Sequence, residues 1–196
     1  MELYKLTQKL DSWPEPFITT DGLRRLMQIE NRRTFENAVK RLVKNGGIIF
    51  LEKGKFQLLR RDTNDFATAQ FLYSPSYVSF ETALNYHGVL LQFPYEITSA
   101  TTKKRTNKEI NGKVFGYYHL NKAFFTGYEK IDGSLMALPE KALFDQLYLG
   151  TKGLKSLNNL DEMDWTLISK TRLLGYFKLI SKKQQQLLLT AVKPYI

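Results

Sequence analysis

The sequence predicts an α+β chain: an N-terminal winged helix-turn-helix, then a mixed α+β domain with a small, mostly antiparallel sheet and a helical tail. Three observations lead there. Within residues 1–61 the apolar spacing is helical three times and then gives two apolar runs around a Gly-containing charged turn, in the order helix, helix, helix, hairpin. Residues 66–138 mix two short helical stretches with short β-like runs and turn signals, and residues 139–192 return to helical spacing. The 196 residues are 43% hydrophobic and 13% aromatic, enough to build packed cores.

In the first part, Leu3, Leu6 and Leu10 recur at helical spacing. Thr19-Thr20-Asp21 offers N-caps to a short second helix carrying Leu23, Leu26 and Met27. Asn31 is placed to cap a third helix whose core face is Phe35, Ala38, Val39, Leu42 and Val43, ending at Asn45-Gly46-Gly47. Ile48-Ile49-Phe50-Leu51 and Phe56-Gln57-Leu58-Leu59 flank the charged turn Glu52-Lys53-Gly54-Lys55, a hairpin pattern. Residues 60–65 read as a linker or helix entry, which divides the chain into residues 1–61 and 62–196.

In the second part, residues 66–72 read as a helix, broken by Ser74-Pro75-Ser76. Ser79 is expected to cap a helix over Glu81, Thr82, Ala83, Leu84 and Tyr86 that stops at His87-Gly88. Residues 97–101 and 114–120 are β-like, joined by residues 103–113, a loop with five cations and one carboxylate. Residues 124–128 and 134–138 predict two more strands around the turn Asp132-Gly133. Pro139 fits a helix N1 position with Glu140 in the first turn, and Ala142, Leu143, Leu147 and Tyr148 line one side. Residues 160–192 read as two helices separated near Gly175.

The net charge is +10, from 29 Lys and Arg against 19 Asp and Glu, which points to a polyanionic partner. Its distribution is uneven: residues 1–61 hold 13 Lys and Arg against 7 Asp and Glu, and the remaining 135 residues hold 16 against 12. On the third helix the face left over by the core carries Arg32, Arg33, Glu36, Asn37, Lys40, Arg41 and Lys44. Its N-terminus, Asn31, Arg32, Arg33 and Thr34, is the end a recognition helix presents to base edges, and Arg and Asn suit guanine and adenine. The wing tip adds Lys53 and Lys55 for phosphate or the minor groove. Double-stranded DNA is therefore the expected partner, while a solvated cationic face and a protein-binding winged helix remain open. Lys103, Lys104, Arg105 and Lys108 make a second basic contact or a solvated loop.

Chemistry is less well represented. With no cysteine there is no disulfide framework, thiolate zinc site or cysteine nucleophile. His87 and His119 are the only histidines, which argues against a His-rich metal site, and no cofactor is expected. No Asp or Glu is followed two positions later by Lys, as a restriction-like nuclease would show, and Gly133-Ser134 has no following Asp-x-Asp. Asp161, Glu162 and Asp164 lack catalytic partners and read as a solvated helix start. The chain is expected not to be an enzyme. The opening MELYKLTQKLDSWPEP has no uninterrupted apolar region, and no stretch of about 18 apolar residues follows, so a cytoplasmic protein without a membrane partner is expected.

Two segments carry a family resemblance. Tyr77-Val78-Ser79, Thr82-Ala83-Leu84 and His87-Gly88 followed by Pro94 resemble the start of the C-terminal domain of AbiEi-type antitoxins. So does Ala137-Leu138-Pro139-Glu140-Lys141-Ala142-Leu143-Phe144-Asp145-Gln146-Leu147-Tyr148-Leu149, with residues 98–102 and Phe115-Gly116-Tyr117-Tyr118 in the places of the family's intervening strands. The resemblance spans most of residues 1–150. It implies a type IV, abortive-infection antitoxin whose winged helix represses its own operon at promoter inverted repeats. Its C-terminal domain would counter an AbiEii-like nucleotidyltransferase toxin. The motif residues are Ser79, His87, Gly88, Pro139, Glu140, Lys141 and Asp145, with Lys141 and Asp145 forming an i,i+4 pair of small value if exposed. His87 is expected to make a local helix-end hydrogen bond. A stand-alone winged-helix regulator without a toxin is the alternative, and a metal-dependent nuclease a third.

Overall fold

The computed structural model describes residues 3–157 and 159–196, without the side chains of Leu3 and Lys5. Contacts divide the chain into two units, residues 1–64 and 65–196, each with its own hydrophobic core.

The first unit runs α1 (Leu3–Asp11), β1 (Phe17–Thr19), α2 (Thr20–Met27), α3 (Arg32–Lys44), β2 (Ile48–Glu52) and β3 (Lys55–Leu58). It is a winged helix. The predicted caps form: Thr19 Oγ1 accepts from the Gly22 N–H, and Asn31 Oδ1 accepts from the Thr34 N–H at 3.0 Å. α3 stops because Gly46 takes φ +70°, which lets the Gly47 N–H reach the Leu42 carbonyl at 2.9 Å. The sheet order is β1-β3-β2, all antiparallel. β1 is a strand the sequence did not announce, since Phe17-Ile18-Thr19 is short and follows Pro14 and Pro16. The core gathers Leu6, Leu10, Ile18, Leu23, Met27, Phe35, Leu42, Ile48, Phe56 and Leu58. Val43, expected in it, is instead 38% exposed. Arg60 pairs with Asp11 at 3.2 Å, and Arg61 donates to the Asp11 and Trp13 carbonyls, so these two cations tie the outgoing chain to α1.

The second unit contains α4 (Asp65–Leu72), β4 (Ser76–Val78), α5 (Phe80–Tyr86), β5 (Glu96–Thr101), β6 (Thr106–Ile110) and β7 (Lys113–His119). Then come β8 (Tyr128–Ile131), β9 (Ser134–Ala137), α6 (Pro139–Gly150), α7 (Lys170–Phe177) and α8 (Lys182–Val192). Six strands make one mixed sheet, β6-β7-β5-β4-β9-β8. The hairpins β6-β7 and β8-β9 and the pair β4-β5 are antiparallel, while β5-β7 and β4-β9 are parallel. α6 is buried from Glu140 to Leu149 and packs against α5, β9 and α7.

Four expectations change. The basic loop contains β6, whose half-buried Thr106, Lys108 and Ile110 alternate with exposed Asn107 and Glu109. Residues 122–124 form a 3₁₀ turn, and the strand expected from Phe124 begins at Tyr128. Ser79 occupies the N-cap position of α5 but makes no side-chain cap bond, because its hydroxyl is used elsewhere. The tail breaks at residues 178–181 with Ser181 capping α8, and Gly175 lies inside α7.

Candidate nucleic-acid interface

α3 sorts its polar residues by angle. At about 100° per residue, Arg33, Asn37, Lys40 and Lys44 fall within an arc of about 60° opposite Phe35 and Leu42. All four are exposed, and none makes a side-chain hydrogen bond or ion pair among the described residues. Arg41 is also exposed but turns to one flank. Arg32 turns to the other and donates to Glu36 Oε1 at 2.8 Å. That pairing raises the Arg32 guanidinium and lowers the Glu36 carboxyl, through the hydrogen bond first and the charge second.

Asn31 and Thr34 are occupied at the start of the helix. Asn31 Oδ1 accepts from both the Thr34 N–H and its hydroxyl, the latter at 3.1 Å. On the wing, Lys53 is exposed at the turn, where Gly54 has φ +84° and its carbonyl accepts from the Thr20 N–H at 2.9 Å. This bond ties the wing to the start of α2. Lys55 is half-buried and paired with Glu52 at 3.0 Å. The structure thus brings Arg33, Asn37, Lys40 and Lys53 out as open polar groups and holds Asn31, Arg32, Thr34 and Lys55 in local bonds.

The second basic group divides in the same way. Lys108 donates to the Leu72 carbonyl at 3.1 Å and lies, with Lys103, over the Tyr73 ring. Arg105 stacks over Tyr118 at 4.9 Å. Lys103, Lys104 and Arg105 are exposed, and their backbone is pinned by His119 Nδ1 on the Lys103 carbonyl and the Tyr73 hydroxyl on the Lys104 carbonyl.

Of the motif residues of the second unit, Ser79, Lys141 and Asp145 form a buried polar knot with Tyr77. Lys141 and Asp145 have fully buried side chains and pair directly, so the i,i+4 pair is not the exposed kind of small value. Asp145 Oδ2 also accepts from the Tyr77 and Ser79 hydroxyls, each at 2.8 Å. Burial pushes the Asp145 carboxyl up and the Lys141 ammonium down, and each opposes the other's shift by its charge. Glu140 accepts from the Ser169 N–H at 2.9 Å, tying α6 to the start of α7. His87 Nε2 donates to the Ala137 carbonyl at 2.8 Å, 50 residues away, so its bond is tertiary where a local one was expected. Gly88 takes φ +75° after α5, and Pro139 stands at the first position of α6. These groups join β4, α5, β9, α6 and α7. The sequence did hold a signal for the burial: residues 142–149 are apolar on nearly every side of the helix.

No protein-family model matches the chain, and no curated protein does. Among solved structures it is similar to the crystal structure of the RV2827C protein from Mycobacterium tuberculosis. The TM-score is 0.60 at 16% identity, over 96% of this chain and 76% of that one. The likeness covers both units and bears on the fold. Among the described residues, no helix is long and apolar enough to cross a membrane, and no three His, Asp or Glu residues stand together as metal ligands.

Proposed function

We propose that the chain is a DNA-binding antitoxin that represses its own operon through the winged helix and counters a nucleotidyltransferase toxin through residues 65–196. The observation that carries DNA binding is the stripe Arg33, Asn37, Lys40 and Lys44 on α3, open to solvent, with the wing cation Lys53 also exposed. Arg33 and Asn37 read base edges; Lys40, Lys44, Arg41 and Lys53 hold phosphates. The toxin-facing role rests on the AbiEi resemblance of residues 77–94 and 137–149.

Band shifts on the DNA upstream of the protein's own reading frame test the first claim. Arg33→Ala is expected to cost about 1–3 kcal/mol and to relax specificity at one position, whereas Lys40→Ala weakens all sequences alike and flattens the salt slope. With about 6–10 phosphates contacted, affinity falls at least a thousandfold between about 50 and 200 mM salt. An Arg33→Ala/Lys40→Ala protein that binds like wild type would remove α3 from the interface. For the second claim, co-expression with the adjoining reading frame decides: growth rescue supports an antitoxin, and a neighbour that is neither toxic nor rescued leaves a stand-alone regulator.

A further inference from the structure

On the side of α3 that faces the hairpin runs an open groove of about 690 Å³. Val39, Val43, Phe50 and Phe56 line it, with Phe50 and Phe56 meeting edge to face at 5.9 Å. Phe50 is 51% exposed and Val43 38%, so two apolar side chains of the groove stand open to solvent. The α3 residues along it extend from Arg32 to Lys44, about 18 Å at about 1.5 Å per residue. Its edge is cationic. Arg24 lies 4.5 Å over the Phe35 ring, and Arg32, Lys40 and Lys44 continue the row, against the single carboxylate of Glu36, which Arg32 already holds.

Phosphates and base edges are polar and draw little from an apolar floor, so DNA leaves this part of the surface unexplained. A groove with the length of about three helical turns, an apolar floor and a cationic rim fits an amphipathic helix with acidic flanks. We propose that the groove docks an acidic amphipathic helix of a protein partner, and that docking and DNA binding exclude one another. Apolar side chains at i, i+3, i+4 and i+7 of the partner cover Val39, Val43 and Phe50, and its carboxylates meet Arg24, Lys40 and Lys44. Exclusion follows because Lys40 and Lys44 belong to both surfaces. It rests on the DNA reading above; docking does not.

The test uses the full-length chain and a fluorescein-labelled peptide of about 12 residues, with Leu and Phe at those positions and Glu between them, measured by fluorescence anisotropy. A peptide of the same composition with the apolar positions scrambled is the control. The patterned peptide is expected to bind at least about tenfold more tightly than the scrambled one. Val43→Ser/Phe50→Ser is expected to weaken the peptide about tenfold and leave DNA within about twofold. Val43→Glu, a change at an exposed position, repels the peptide and serves if the double variant fails to fold. Equal binding of the two peptides, or undiminished binding to both groove variants, overturns docking. A complex holding peptide and operator DNA together overturns exclusion. Peptide binding by a chain that binds no DNA supports docking and removes the DNA reading instead.

Discussion

At the scale of residues, the second unit turns on a charge pair that water does not reach. Lys141 and Asp145 lose hydration on both sides, and their attraction offsets this because Tyr77 and Ser79 supply the remaining donors to the carboxylate. Removing one member leaves the other buried alone. Lys141→Met is expected to cost about 3–5 kcal/mol, while Lys141→Met/Asp145→Leu recovers most of it. Urea titrations of both singles and the double close the cycle, and additive losses would show that the pair is uncoupled. The phenols nearby make a pH prediction. Burial first, then the Asp145 charge, pushes Tyr77 up; burial first, then the hydrogen bond to Glu96, pushes Tyr118 up. An unfolded phenol titrates near about 10, so above that pH the folded chain holds protons that the unfolded chain has released. Their contribution to stability is complete below about pH 10 and is lost as pH rises through the folded values. Absorbance at the tyrosinate band is expected to rise in a late step coincident with loss of near-ultraviolet dichroism; early titration of every tyrosine would contradict it.

At the scale of elements, α3 is defined by its ends. Asn31 caps the start and Gly46 closes the finish, so the cationic stripe is held on a rigid rod. Asn31→Ala is expected to destabilise the first unit by about 1 kcal/mol, and Asn31→Ser to restore the cap. If Asn31→Ser keeps stability but loses operator affinity, Asn31 contacts DNA besides capping; if both are kept, its role is the cap alone. Helix spacing and cap residues made α1, α2 and α3 legible. β1 and β6 were not, because β1 is three residues long and β6 hides its alternation among charges. Strand pairing also cannot be read locally, and the parallel pairs β5-β7 and β4-β9 join segments separated by intervening chain.

At the scale of the whole molecule, two cores imply two folding units. Residues 65–196 produced alone are expected to unfold cooperatively in urea with the full chain's near-ultraviolet signature. Residues 1–64 should be less stable, since a domain of about 60 residues buries a smaller share of its surface. Non-cooperative unfolding of residues 65–196 would refute the division. By itself the sequence determined the α+β class, the helices of the winged helix and the basic side of α3, because periodicity, caps and charge act over a few residues. Only the tertiary structure decided which cations stay open, that Lys141 and Asp145 are buried, and that Val43 and Phe50 line a groove. Those outcomes depend on which side chains come together in space: Glu36 one turn from Arg32 on α3, Glu52 across the hairpin turn from Lys55, Tyr77 and Ser79 from β4 and the start of α5, and the hairpin against α3.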